Sequence, residues 1–266
     1  MARTVLLHDD VPKLRAVIVV ALVSACGFSP TPLQVQIDAQ GSAELGSPDA
    51  VGATEFAACH SQLSGLVLCF DFEDPSFAPT IHDSSPGDHD AITANVDMMA
   101  RAQQHAAMVD QASSITVPEA TELDVVGAVS VEMWLEATTA QQDVTVFSHS
   151  ADYGIDFNFG TGCYIGNAEA WAPDTLPVGW HHIGCTFDGT TIAAYVDGSL
   201  VACAPGHSAL AAHAAEIGIG ERFSGGVDDV HVYHRALAST EIQGLAGVTT
   251  GATTCPSPFI GGAGGP

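Results

Sequence analysis

The chain has 266 residues, of which 31 are Asp or Glu and 6 are Lys or Arg, giving a formal net charge of -25 at pH 7. An acidic excess of this size repels phosphate backbones and anionic head groups, so nucleic acid and the charged surface of an anionic bilayer are excluded as electrostatic partners. What remains is a solubilising acidic surface, or one that draws divalent cations or a cationic partner.

Residues Met1 to Ala25 carry Arg3, Lys13 and Arg15 and then the apolar run AVIVVALVSA, with Cys26 directly after it. The run is shorter than the roughly 20 apolar residues a membrane-spanning helix needs and fits the core of a signal peptide. Val23-Ser24-Ala25-Cys26 resembles a bacterial lipobox, whose cysteine takes lipid and becomes the first residue of the mature protein. The expectation is a lipoprotein signal peptide at 1–25 and a lipid anchor on Cys26 holding the protein to a membrane outside the cytoplasm. An ordinary cleaved signal and a secreted protein is the alternative. Residues 26–58 are rich in Pro, Gln, Ser, Ala and Gly with little to build a core, and are predicted to be a flexible tether. Beyond the signal only Arg101, Arg222 and Arg235 are basic.

From 59 to 247 short runs rich in Val, Ile, Phe and Tyr alternate with turn signals about every eight to twelve residues, the spacing of an all-β sandwich. SGLVLCFDFED, Ser64 to Asp74, reads as a first strand, and HDSSPGDHDA, His82 to Ala91, as a turn. ANVDMMARAQQHAAM, Ala94 to Met108, has some helical propensity, and ELDVVGAVSVEMWLEA, Glu122 to Ala137, reads as a strand carrying Trp134. Candidates for the core or its rim are Phe70, Phe72, Trp134, Phe147, Phe157, Phe159, Phe187, Tyr195 and Tyr233. GWHHIGCTFDGTTIAAYVDG, Gly179 to Gly198, reads as two strands joined at Asp188-Gly189, with Val178, Trp180, His182, Ile192, Ala194 and Val196 expected on one face. A second turn at Asp197-Gly198 leads into SLVACA, which makes a three-stranded meander. His181 and His182, being adjacent on a strand, should point to opposite faces and not share a metal. In IGIGERFSGGVDDVHVYHRALASTEIQGL, Ile217 to Leu245, strands give way to a short helix around Ala238 to Ile242 with Ser239 as its expected N-cap. The segment 248–266 reads as a polar tail apart from Cys255.

Taken together and in this order, the first strand, the Asp-Ser-Ser turn, the strand ending at Trp134, Trp-His-His with its Asp-Gly turns, and the closing segment resemble laminin-G-like, concanavalin A-like jelly-roll domains. The resemblance covers most of Ser64 to Leu245. It implies an antiparallel two-sheet jelly-roll sandwich, with strands rather than helix across Ala94 to Met108. It also implies a noncatalytic domain whose concave sheet and loops bind a glycan or a protein. Trp171, Tyr153, Tyr164, Asn158 and Asn167 lie in or near the stretch that should edge that face, and Trp171 has no counterpart in the family's core pattern. Calcium is the implied cofactor, held between the first and last strands by Glu73, a carbonyl near Gly87 and Asp228, as suits a hard cation that takes oxygen ligands.

Six cysteines remain once Cys26 takes lipid, an even number that outside the cytoplasm suggests disulfides. The jelly-roll strand order favours Cys163 with Cys185. Cys59 with Cys255 would clasp the two ends of the domain and leave Cys69 with Cys203, while Cys59 with Cys69 competes. Zinc is the weaker reading, because no Cys-x-x-Cys occurs.

Enzyme chemistry lacks residues. Glu122-Leu123-Asp124 resembles half of the carboxylate motif of some concanavalin A-like glycosidases, in which two carboxyl groups about 5–5.5 Å apart attack and protonate. The partner positions here are Val126 and Gly127. No His-Glu-x-x-His, Gly-x-Ser-x-Gly or phosphate-binding loop is present. The expected function is a noncatalytic cell-envelope lipoprotein with a ligand-binding domain, the alternatives being a purely structural or adhesive envelope component and a glycoside hydrolase relative with a lost or unusual active site.

Overall fold

The computed structural model describes residues 59, 63–74, 79–102, 104–138, 144–150, 152–157, 160–172, 175–206 and 214–256. The signal peptide, Cys26, the tether, Asn158, Phe159 and the end of the tail lie outside the described residues. The chain runs through β1 (Leu66–Phe70), β2 (Thr80–Ile81), β3 (Ala91–Ala94), β4 (Asp97–Arg101), β5 (Gln104–Val109), β6 (Ser114–Val117), β7 (Val129–Ala137) and β8 (Thr145–His149). It continues through β9 (Tyr153–Asp156), β10 (Gly162–Ile165), β11 (Ala168–Trp171), β12 (Gly179–Phe187), β13 (Thr191–Val196), β14 (Ser199–Pro205), β15 (Ile217–Ile219), β16 (Gly225–Tyr233) and the helix α1 (Ser239–Leu245). These strands make two antiparallel sheets of a jelly-roll sandwich. One sheet has the order β14-β13-β12-β7-β16-β5-β4 with β1 also on β16, and the other β11-β10-β9-β8-β15-β6-β3-β2. The long strand β16 lies against β7 on one edge and shares its other edge between β5, paired with Gly225 to Val227, and β1, paired with Val230 to Tyr233.

Strand alternation decides what faces the core. Along β7, Val129, Val131, Met133, Leu135 and Ala137 point between the sheets, where they join Leu68, Phe70, Phe147, Ile155, Phe157 and Phe187 in the main hydrophobic cluster. Ser130, Glu132, Trp134 and Glu136 therefore face outward. Phe72 belongs to the same core, whereas Tyr195 and Tyr233 pack with Leu237, Ile242 and Leu245 in a second, smaller cluster under α1 on the outer face of the first sheet. Trp134, half-buried, also stands on that outer face.

Ala94 to Met108 forms strands, the end of β3 with β4 and β5, as the jelly-roll pattern implies and against its helical propensity. The meander of β12, β13 and β14 is present, but its faces differ from the expected assignment. Phe187 pairs with Ile192, Cys185 with Ala194 and Ile183 with Val196. Ile192, Ala194 and Val196 therefore share the inward face with the odd-numbered residues of β12, and Trp180 and His182 take the outward one. In the first turn Asp188 Oδ1 accepts from the backbone N–H groups of Thr190 and Thr191 and from the Thr190 hydroxyl. The second is a two-residue hairpin turn, with Val196 opposite Ser199 and both Asp197 (φ 49°) and Gly198 (φ 73°) left-handed.

Two further expectations are corrected. The N-cap of α1 is Ala238, not Ser239: the Glu241 carboxylate accepts the Ala238 N–H and pairs with Arg235, while the Ser239 hydroxyl meets that of Tyr195. The disulfides join Cys59 to Cys69, Cys163 to Cys185 and Cys203 to Cys255. The pairings of Cys59 with Cys255 and of Cys69 with Cys203 are thus replaced. Cys255 folds back on β14, where Ala252 accepts the Leu200 N–H, so it lies beside Cys203.

Candidate functional site

Two places in the fold concentrate chemistry, one on the outer face of each sheet. On the first sheet, β7, β12 and β16 bring Glu132, His182 and His231 together, since the registers set His231 opposite Glu132 and His182 opposite Trp134. His182 Nε2 lies 2.7 Å from Glu132 Oε2, and His231 Nδ1 pairs closely with Glu132 Oε1. All three are buried. Burial pushes the Glu132 carboxyl up, but the His231 charge and the hydrogen bonds from both imidazoles pull it down, to about 2. For His231 burial acts downward and the Glu132 charge wins, so its pKa is raised. The result is a buried ion pair with a second imidazole attached.

A bulge in β16 extends this cluster. Between Asp228 and His231 the strand carries one residue more than β7, and Asp229 takes a left-handed φ of 47°. The extra residue reverses the inward-outward alternation, so Val227, Val230 and Val232 all reach the core. Asp228 and Asp229 both accept from Arg101 Nη1, at 2.6 and 2.8 Å. The guanidinium carbon lies 4.2 Å from the Trp134 ring centroid and 5.1 Å from that of Trp180, a cation held between two indoles and two carboxylates. Burial and the neighbouring Asp229 raise the Asp228 carboxyl to about 7 against the pull of Arg101.

This arrangement bears on the calcium expectation. Asp228 is committed to a guanidinium, Glu73 accepts the His105 N–H and pairs with its imidazole, and the Gly87 N–H donates to Ser85 Oγ in a loop set against β1 at Val67. Glu73, Gly87 and Asp228 thus each have protein partners of their own. The buried carboxylate of that loop is Asp83, which accepts from the N–H groups of Cys69, Ser85 and His89 and so organises the Asp-Ser-Ser turn.

The second sheet presents a different surface. Gly218, Ser148, Gly154, Tyr164 and Glu169 lie side by side across β15, β8, β9, β10 and β11, and Gly162 pairs with Trp171 one step away. Tyr164 covers Gly154 and the Trp171 indole covers Gly162, so that a side chain at either glycine would collide with the ring above it, while the Glu221 carboxylate lies over Gly218. Tyr164 donates to the Ser150 carbonyl at 3.0 Å and Trp171 Nε1 to Glu169 Oε2 at 2.8 Å. Burial, with the carboxylates of Asp156, Glu221 and Asp152, raises the Tyr164 hydroxyl's pKa and keeps it a neutral donor. Trp171 is buried and Tyr164 half-buried, so what this face presents is the Tyr164 ring with the exposed Glu169 and Glu221 carboxylates, a surface suited to a hydroxyl-rich ligand.

Of the residues expected to bind ligand, Tyr164 and Trp171 come together here, and Asn167 is exposed on the turn between their strands. Trp171 stands at the end of β11. Tyr153 is corrected: its ring lies in the core, stacked on His149 with centroids 4.9 Å apart, and its hydroxyl meets the Leu123 carbonyl. Asn158 lies outside the described residues. The segment Glu122 to Asp124 is a turn rather than a strand, with Glu122 exposed and Asp124 beside the buried His149, so it does not set two carboxylates on one strand face. Sequence reasoning missed Glu132, His231, Arg101 and Glu221. A usable signal lay in the 227, 230, 232 spacing of the valines in β16, which breaks the period of two and marks the bulge.

A family model described as the concanavalin A-like lectin/glucanases superfamily matches residues 109–243, just over half of the chain. Among solved structures the chain is similar to domain 4 of AbnA, a GH43 extracellular arabinanase from Geobacillus stearothermophilus in complex with arabinotriose. That likeness has a TM-score of 0.58 and 17% identity and covers 68% of this chain and 98% of that one. It is also similar to the binding domain of Paraclostridial Mosquitocidal Protein 1, with a TM-score of 0.50 and 13% identity over 68% of this chain and 52% of that one. A third likeness is to the binding domain of botulinum neurotoxin DC in complex with SialylT, with a TM-score of 0.50 and 11% identity over 69% of this chain and 51% of the other. The chain thus spans about half the length of the toxin binding domains it matches. No curated protein matches the chain.

Proposed function

Since the chain belongs to the concanavalin A-like lectin/glucanases superfamily, we propose that it is a noncatalytic carbohydrate-binding domain displayed outside the cytoplasm, with its ligand site on the outer face of the β8 to β11 sheet. The observation that carries this reading is the half-buried Tyr164 ring between the exposed carboxylates of Glu169 and Glu221, beside the buried Trp171 on a floor of glycines. The arabinotriose complex of the AbnA domain supports a sugar as the ligand class, because that domain is similar over nearly its whole length.

Calorimetric titration against a broad glycan panel that includes arabinan fragments tests the proposal. A sugar that binds the wild type is expected to lose about tenfold in affinity with Tyr164→Ala, and as much with the exposed Glu221→Ala, each worth about 1.4 kcal/mol. A silent panel, or undiminished affinity in both variants, overturns it.

The placement outside the cytoplasm is supported by the signal-like residues 1–25 and by three disulfides. No described helix is long and apolar enough to cross a membrane. Lipid on Cys26 would tether the domain, since each acyl methylene contributes about 0.8 kcal/mol of membrane affinity and two chains hold far more firmly than one. Cys26→Ala is expected to move the protein from the membrane fraction to the soluble fraction, and an unchanged distribution would refute the anchor.

A further inference from the structure

We infer that Cys59, Cys69 and His231 form a redox-gated site for a thiophilic metal ion of the Zn²⁺ type, closed while the two cysteines are bonded to each other and open when they are thiols. The two sulfurs and a ring nitrogen of His231 lie within 4.8 Å of one another, and all three residues are buried. The fold places them there: Cys69 on β1 and His231 on β16 are register partners on the outer face of the first sheet, and the disulfide brings Cys59 to the same point. Among the described residues, this is the one disulfide with a histidine nitrogen at ligand range.

The histidine is prepared for a metal. Its Nδ1 is taken by Glu132, whose other oxygen is held by His182, so the ring's orientation is fixed from behind. Its Nε2 is buried and finds no hydrogen-bond partner among the described residues. A carboxylate behind an imidazole, with the second nitrogen left open, is the arrangement that orients histidines toward zinc. Zn–S and Zn–N bonds of about 2.3 and 2.0 Å set tetrahedral ligand atoms about 3.5–3.8 Å apart, so the sulfurs need to separate by less than about 2 Å.

The gate is a two-electron step. A phosphine attacks one sulfur and breaks the S–S bond, and the other cysteine leaves as thiolate. Water then converts the phosphorus–sulfur adduct to the phosphine oxide and frees the second thiol, so phosphorus is oxidised and both sulfurs are reduced. The ion binds the two thiolates and the Nε2 lone pair, and the displaced protons pass to solvent.

The test uses the full chain, a water-soluble phosphine and Co²⁺ as a spectroscopic stand-in for Zn²⁺. Reduced protein is expected to take up one equivalent with a thiolate-to-cobalt charge-transfer band and the strong visible bands of a tetrahedral site, and to release it to Zn²⁺. Untreated protein takes up none. Cys59→Ser should roughly halve the charge-transfer band and weaken uptake at least about tenfold. A variant with Cys163, Cys185, Cys203 and Cys255 all replaced should keep the band. The inference is overturned by a reduced protein without the band, by loss of the sheet circular dichroism on reduction, by an undiminished band in Cys59→Ser, or by loss of the band in the four-cysteine variant.

Discussion

Glu132→Ala is expected to lower folding stability by about 3–5 kcal/mol, because removing one partner of a buried ion pair leaves its counter-charge uncompensated. Here the variant strips both His182 Nε2 and His231 Nδ1 of their acceptor, at positions already shut off from water. The pH dependence carries a second signature. The pKa of the Glu132 carboxyl is about 2 in the folded protein against an ordinary 4.5, so its contribution is fully present above 4.5 and is lost as pH falls toward 2. His231 is raised from 6.5, so its contribution is fully present below 6.5 and is lost as pH rises through the raised value. Urea titrations over a range of pH should show wild-type stability dropping on both sides, with both slopes flattened in Glu132→Gln. Equal stability of wild type and Glu132→Ala, or unaltered slopes in Glu132→Gln, would show that the trio does not act as a charged unit.

Arg101→Ala should cost a similar amount, about 3–5 kcal/mol, for the opposite reason: it leaves two adjacent buried carboxylates without their cation. Asp228 is already raised to about 7 from 3.8, so its contribution is fully present below 3.8 and is lost as pH rises through 7. Without the guanidinium that loss deepens. The variant's melting temperature is therefore expected to fall more steeply than the wild type's between about pH 5 and pH 8. Adding Asp229→Asn should recover part of the stability, since one unpaired negative charge is then removed. A double variant whose loss equals the sum of the two single losses would mean that Arg101 and Asp229 are not coupled.

The fold was legible because its signals are local. Asp197-Gly198 fixes a hairpin turn, and alternation along Val129 to Ala137 fixes which residues face the core. The face assignment across the first hairpin failed because Phe187 pairs with Ile192 around an Asp-centred turn, which sets odd against even positions. Tyr164 and Trp171 could be found as aromatics on short strands, but their glycine floor depends on cross-strand register that no single segment records. Glu132 and His231 are separated by |i−j| = 99, and Arg101 and Asp228 by |i−j| = 127. Partners that far apart meet only once the sheet order is known. The disulfides show the same limit, for Cys255 reaches Cys203 through a tail that reads as featureless in sequence.

The place of β16 in its sheet bears on how the protein is made. Among the described residues this strand is the last in sequence, yet it lies inside the sheet, bonded to β7 along one side and to β1 and β5 along the other. Until residues 225–233 have been synthesised, β1 lacks its partner and β7 has one bare edge. Closure therefore waits for the most distant contacts in the domain, the kind that make β-sandwiches fold in milliseconds to seconds rather than microseconds.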